Sequence, residues 1–453
     1  MGKTRKFWFV IVVAIVAAKP VAFPARALEP LQPLIDAAKA GDVIMPPPGT
    51  YAGPVIIEKA ITLDGQGKVT LDNAGRGSLI TLKANGATIR GMRLVNSGES
   101  HNDIDAGIQV RGSYNVIKDN VIDNALFGIN MQQSNNNVVR RNTIRSKRFD
   151  LGVRGDGIRL WYSRANKIEN NIVDGARDVV IWYSGDNVFS GNEISGGRYG
   201  LHFMYALANL VENNRFQGNS VGIFLMYSDG VTIRNNHISH ALGATGMGVG
   251  MKETSDVTIE DNAIVYCATG IYLDVSPFQP ETTNRLYRNR LAFNGIGVLF
   301  HNDWQGNRFR DNRFENNFVQ VSVNANASAK RNDWDGNFWD DYRGFDRDNN
   351  SVGDSPHEPR VYADRLWMDV PAAGFFKGSP LLSVLDFLER LAPFTEPLLL
   401  LSDGKPKIDP DVATIAAYEQ TPEPPTAADE RFKYDPFGLK TRVKKYKDTG
   451  VQK

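Results

Sequence analysis

The sequence has a single cysteine, Cys267, so no internal disulfide can form. It sits in Val265-Tyr-Cys-Ala-Thr-Gly270, where a small buried side chain fits, and reads as core filler rather than a reactive thiol. A basic surplus is also missing. Lys plus Arg number 52 against 51 Asp plus Glu, which argues against the concentrated basic face that nucleic acid needs. The apolar run Phe7 to Ala18 is too short for a comfortable membrane span. It follows Lys3, Arg5 and Lys6 and precedes Ala25-Arg26-Ala27, so residues 1–27 are expected to be a secretory signal. Removing them moves the formal charge from +1 to −4.

What the chain has in excess is glycine, 42 residues, and asparagine between residues 96 and 350. Both suit tight turns. From Ser78 to about Asn337 one unit recurs: Asn/Asp-apolar-x-x-x-Asn-x-Ile/Leu/Phe, a turn, then Gly-apolar-x-apolar-x. Its second asparagine falls at 120, 142, 171, 192, 214, 236, 262, 289 and 312. Within each unit the apolar residues alternate with period two, so each unit is strand-turn-strand-turn. One such coil cannot bury its own apolar face, but stacked coils can. The expected fold is all-β: a right-handed parallel β-helix (solenoid) over residues 28–375, with a short N-terminal cap and a helical C-terminal extension. The recurrent asparagines are read as a structural ladder, amide to amide between coils.

Longer spacings place insertions at Ser146–Asp156, His240–Met247 and Ser276–Thr283. Leu31 to Ala40 is expected to be the capping helix. Ser379-Pro380 opens an amphipathic helix within residues 376–405, which either caps the far end or docks on a partner. Capping is favoured, because open solenoid ends need covering. Residues 406–453 read as a flexible tail.

Aligning each coil on its glycine puts the first and third following positions inward and the second and fourth outward. The outward columns contain His202, Met204 and Met226, with Trp161 and Trp182 in line and Tyr162, Tyr183, Tyr205 and Tyr227 beside them. An outward aromatic strip marks a binding face, for which Trp161, Trp182, Tyr205 and Tyr227 are the candidates. Imidazole with thioether suits a soft, reduced ion, so His202, Met204 and Met226 are candidate Cu(I) ligands, with Met247 and His240 in the nearby insertion as further ones. Methionines on such a strip also serve protein contacts. His237 and His101 read as ordinary surface histidines, and His301 lies several coils away. Asp346, Asp348, Asn350 and Asp354 match part of a calcium loop, although Ser351 stands where glycine is usual. Asx-rich turns give the same pattern. A polysaccharide lyase or epimerase is the competing class, with Asp150, Arg154, Asp156 and Arg159 supplying charge.

Three features together, the Asn-rich coils, Arg198-Tyr-Gly-Leu-His-Phe-Met-Tyr205 and Gly336-Asn-Phe-Trp-Asp-Asp-Tyr-Arg-Gly-Phe-Asp-Arg-Asp348 with Val352-Gly-Asp354, resemble the NosD family. The resemblance implies a periplasmic, non-enzymatic accessory protein of denitrification. It implies work with an ABC transporter ATPase and a membrane permease, through which the protein is held at the membrane. It also implies a role in maturing the copper-sulfur centre of nitrous oxide reductase, with Cu(I) received from a copper chaperone lipoprotein. Export of a sulfur species is the family's other implied cargo. On this reading, deleting residues 376–453 is expected to abolish complex formation and leave the β-helix folded.

Overall fold

The computed structural model describes residues 28–324, 327–361, 370, 376, 379–392 and 397–409. The expected signal and nearly all of the expected tail lie outside the described residues. Each coil contributes three strands. One face is a 12-stranded parallel sheet, in which Ile158–Trp161, Asp178–Trp182, Tyr199–Met204, Val221–Met226 and Met247–Lys252 are successive neighbours. The other two faces are built from 25 strands, joined near the N-terminus where Thr62–Asp72 runs across both. The parallel β-helix expected from the repeat is therefore the fold.

Alternation accounts for the strands. Ile158, Leu160, Val179, Ile181, Leu201, Phe203, Ile223 and Leu225 are buried in one core that runs the length of the solenoid. Glycine opens most coils of the 12-stranded sheet because the strands approach closely there. A Cβ on Gly200 would lie 2.4 Å from the Gly222 carbonyl oxygen, and one on Gly222 would lie 2.5 Å from that of Gly248.

The asparagines form the expected ladder. Both the backbone N–H and the Nδ2 of each asparagine donate to Oδ1 of its counterpart in the next coil, as from Asn171 to Asn192 and from Asn192 to Asn214. The same pair of bonds continues from Asn312 to Asn337. A parallel ladder begins at Asn115 and runs through Asn137, Asn166 and Asn187 to Asn209.

The two ends are closed differently. At the start, α1 (Gln32–Ala37) buries Ile35, and Leu31 before it is also buried. The Gln32 side chain accepts from the Ile56 N–H and donates to the Ile56 carbonyl, taking the place of a neighbouring strand. At the far end the expectation that the C-terminal helix is the cap is corrected. α2 (Pro380–Leu391) leaves Leu381, Val384, Leu385, Phe387, Leu388 and Leu391 between 44% and 75% exposed. The closing residues follow the helix. Asp403 is fully buried, and its carboxylate accepts from Asn337 N–H, Asn337 Nδ2, Gly336 N–H and Trp339 Nε1. An aspartate thus ends the ladder where no further asparagine exists, and Leu400 and Leu401 join the core. Truncation at residue 376 would remove this stopper together with the helix, so an intact β-helix is no longer expected of that deletion.

Asn192 holds four ladder contacts, to Asn171 N–H and Nδ2, to the Ile168 carbonyl and to Asn214. Asn192→Ala strands these buried groups and should cost about 3 kcal/mol in equilibrium denaturation. An unchanged denaturation midpoint would remove the ladder from the account of stability.

Candidate functional site

The insertions flank one face. Ser146–Asp156 and His240–Met247 precede strands of the 12-stranded sheet, and Ser276–Thr283 follows one. Between them lies the aromatic strip. Tyr162, Tyr183, Tyr205 and Tyr227 all occupy left-handed backbone positions at φ of 49° to 51°, turning each ring outward at the same corner. The rings stack at 4.9, 5.2 and 4.9 Å, close to the strand spacing. Trp161 and Trp182 lie inside this corner, in register with Met204 and Met226.

His202 points to the outer side of the sheet yet is only 6% exposed. Tyr199 covers it at 4.7 Å, Trp182 meets it edge-on at 5.8 Å, and Phe224 lies 6.4 Å away. Its Nε2 is 3.5 Å from the Met226 Sδ. Met204 is the register partner of Met226 on the adjacent strand. Burial pushes His202 down to about 4, although the Asp178 carboxylate pulls it up, so the imidazole is neutral at pH 7. A neutral imidazole needs lose no net charge to bind a cation.

The 3.5 Å separation suits two ligands of one ion. With a metal–nitrogen bond of about 2.0 Å, a metal–sulfur bond of about 2.3 Å and a tetrahedral angle, the donors stand roughly 3.5 Å apart. Their softness suits Cu(I).

The other candidates fall elsewhere. Met247 lies one strand beyond Met226, with Phe224 beside it. A Cβ on Gly250 would lie 3.2 Å from the Met247 Sδ and 2.3 Å from Phe224 Cδ2, so Phe224 leans over the bare glycine while keeping its edge contact with His202. His240 stacks on Tyr266 at 5.4 Å, at the corner before the sheet, and among the described residues no contact joins it to His202 or the methionines. The calcium expectation is not supported. Asp346 accepts from the Asn350 and Ser351 N–H groups, Asp354 from the Arg347 N–H, and Asn350 bridges Asp348 and Val352. These oxygens are used by the loop's own turns. Among the described residues no cluster of three or more His, Cys, Asp or Glu is placed to hold a metal. Cys267 is buried, and burial pushes its thiol up to about 11, as expected of core filler.

Beneath the strip is an ionic cluster that spacing did not single out. Asp178, standing where other coils have glycine, is buried and accepts from Arg198 and from the Tyr199 N–H. Arg177 pairs with Asp156 at 2.9 Å. Burial raises Asp156 to about 6 against the pull of Arg177. Of the charges assigned to a polysaccharide site, Asp156 is thus buried in an ion pair, and Arg154 donates to the Phe149 and Gly175 carbonyls.

Residues 145–344, which contain this whole site, match the family described as periplasmic copper-binding protein (NosD). A protein of Pseudomonas aeruginosa named probable ABC transporter binding protein NosD is 29% identical over 367 residues, covering 76% of this chain and 83% of that one. Over most of its length the chain is similar to proteins of the NosD family. A Stutzerimonas stutzeri protein of the same name is 32% identical over 111 residues, 24% of this chain and 26% of its own length. Residues 63–173 match a right handed beta helix region. Among solved structures, the A-module of the Azotobacter vinelandii mannuronan C-5 epimerase AlgE6 aligns with a TM-score of 0.51 at 18% identity, covering 67% of this chain and 93% of that one. That likeness shows the fold. NosD proteins are described as periplasmic and copper-binding, and among the described residues no helix is long and apolar enough to cross a membrane.

Two outcomes are expected of the site. Gly250→Ala places a methyl group against the Phe224 ring and should drive that ring back toward His202, weakening Cu(I) binding in a competition titration. Equal affinity would show that Phe224 does not gate the imidazole. The second concerns pH. Below 6.5 the unfolded chain protonates His202, while the folded chain resists down to about 4. This costs up to roughly 3 kcal/mol of stability as pH falls through that window. Asp156, raised from 3.8 to about 6, acts with the opposite sign between those values. His202→Phe should therefore gain stability relative to the parent as pH falls from 6.5 to 4, read from denaturation midpoints. A pH-independent difference would contradict the neutral, buried imidazole.

Proposed function

We propose that this protein carries Cu(I) on the outer face of its β-helix, at His202 and Met226 with Met204 as the neighbouring donor. It would do so in maturation of the copper-sulfur centre of nitrous oxide reductase. The approach of His202 Nε2 to the Met226 Sδ at 3.5 Å carries the reading, because it pairs a neutral imidazole with a soft thioether at ligand spacing. The family description supplies copper and the periplasm, and the name of the Pseudomonas relative supplies the ABC transporter. A carrier must also release its cargo, and a site of few neutral donors on the outer side of the sheet suits release better than a charged cage. ATP hydrolysis belongs to the transporter's ATPase on this reading. A copper chaperone lipoprotein delivers the ion, and the reductase receives it.

Anaerobic titration of the purified protein with Cu(I) and a competing chelator tests the site. His202→Ala combined with Met226→Leu should weaken binding on the order of a hundredfold, about 2.7 kcal/mol. Unchanged affinity in the double variant would end the assignment of these two residues.

The exposed apolar face of α2 is the proposed contact to the permease, which would hold the protein at the membrane. Replacing Leu381, Val384 and Leu388 with serine should abolish co-purification with the permease and leave the denaturation midpoint unchanged, because these side chains are not in the solenoid core. Retained co-purification would place the contact elsewhere.

A further inference from the structure

On the outer face of the 12-stranded sheet, one arginine has no carboxylate in contact with it among the described residues. Arg177 is paired with Asp156 and Asp178, and Arg198 with Asp178. Arg159, on the strand that adjoins Asp178–Trp182, forms no ion pair or side-chain hydrogen bond among the described residues. It is not a freely solvated surface group either. Its guanidinium carbon lies 5.2 Å from the Trp161 ring centre and 5.5 Å from that of Trp182. Burial has already taken enough water from it to lower its pKa. Its Nε finds no acceptor, and neither do the adjoining Trp182 Nε1 and His202 Nδ1. Asp156 acts on Arg159 from a distance but is in contact with Arg177. Three arginines therefore stand against two carboxylates, and the one without a carboxylate in contact is the one whose position two indole rings fix.

We infer that Arg159, framed by Trp161 and Trp182, is a binding site for a single carboxylate on the side chain of a protein partner. A half-desolvated arginine without a counter-ion is costly, and the cost is recovered when a carboxylate arrives. The guanidinium fork matches a carboxylate in two parallel hydrogen bonds, and the indole faces hold the fork in one orientation. The surroundings decide what carries that carboxylate. Arg177 and Arg198 are already committed to Asp156 and Asp178, so among the described residues the coils next to Arg159 lack the succession of free cations that a polyuronate chain requires. Beside Arg159 run instead the half-buried Trp161 and Trp182 and the exposed rings of Tyr162, Tyr183 and Tyr205. One buried-in-the-complex ion pair at the edge of an aromatic strip is the anatomy of a protein interface, where arginine, tryptophan and tyrosine dominate binding energy. The inference goes beyond the copper reading and does not depend on it.

The test uses copper-free protein, so its outcome is separate from whether His202 and Met226 hold Cu(I). The probes are a fluorescein-labelled peptide rich in glutamate and aspartate, the same peptide with amides in place of the carboxylates, and an oligomannuronate, all at roughly 0.15 M salt. Anisotropy should show saturable binding of the acidic peptide only. Arg159→Gln should weaken it by at least tenfold. Arg159→Lys, which keeps the charge and loses the fork, should fall between the two. The Arg159→Gln protein should be no less stable than the parent, since an uncompensated cation has been removed. Three results would overturn the inference: no saturable peptide binding, equal binding by Arg159→Gln, or Arg159-dependent binding of the oligomannuronate in preference to the peptide.

Discussion

The amide-to-amide hydrogen bond between successive coils sets the geometry on which everything else rests. Each asparagine in the middle of the main ladder gives two hydrogens to one oxygen of the next and accepts two from the one before. Left unsatisfied, any of these groups would cost on the order of 1–3 kcal/mol, so the coils must stack in one register at one pitch. A shift of a single residue in any strand would break the ladder and turn the inward leucines and isoleucines to the outside. The column of apolar residues supplies the driving force of folding, and the ladder selects which alignment of that column is the native one.

The same pitch builds the outer face. Because every coil repeats at the strand spacing, residues at equal positions become neighbours although they are more than 20 residues apart in sequence. Tyr162, Tyr183, Tyr205 and Tyr227 become a stack. Met204 and Met226 become adjacent, and His202 reaches the sulfur one coil further on. The face is unusual in what covers it. Tyr199, Trp182 and Phe224 screen His202, and the paired Asp178 and Arg198 lie next to it, so a residue on the outside of the solenoid is as dry as one inside. Dryness keeps the imidazole neutral and leaves Arg159 in need of an anion, and both properties bear on what the face can bind.

The ends show how much a ladder depends on being terminated. Gln32 imitates a strand for Ile56 at the beginning. Asp403 imitates an asparagine for Asn337 at the end, and its second oxygen serves Gly336. The chain travels from Asn337 out to the exposed α2 and returns to place Asp403. The far end is thus closed by a segment that sequence order separates from the repeats, and among the described residues α2 takes no part in that closure.

The sequence by itself determined the coil. The spacing of its asparagines, the glycine that opens each strand of the outer sheet and the period-two alternation admit only a stacked parallel solenoid, because no single coil can bury its apolar side. It also determined which residues share a column, and hence that His202, Met204 and Met226 belong to one face. Only the tertiary structure decided which neighbours those columns acquire. That Met247 is set apart by Phe224 follows from the missing side chain of Gly250, and that His240 turns to Tyr266 follows from a corner at positive φ, neither of which a column alignment contains. The Asp346 loop has the oxygens of a calcium site, but its backbone uses them first. Asp403 and the pairing of Asp156, Arg177, Asp178 and Arg198 were illegible for one physical reason: a hydrogen bond or ion pair across coils depends on side-chain direction and burial, and a repeat fixes position along the chain without fixing either.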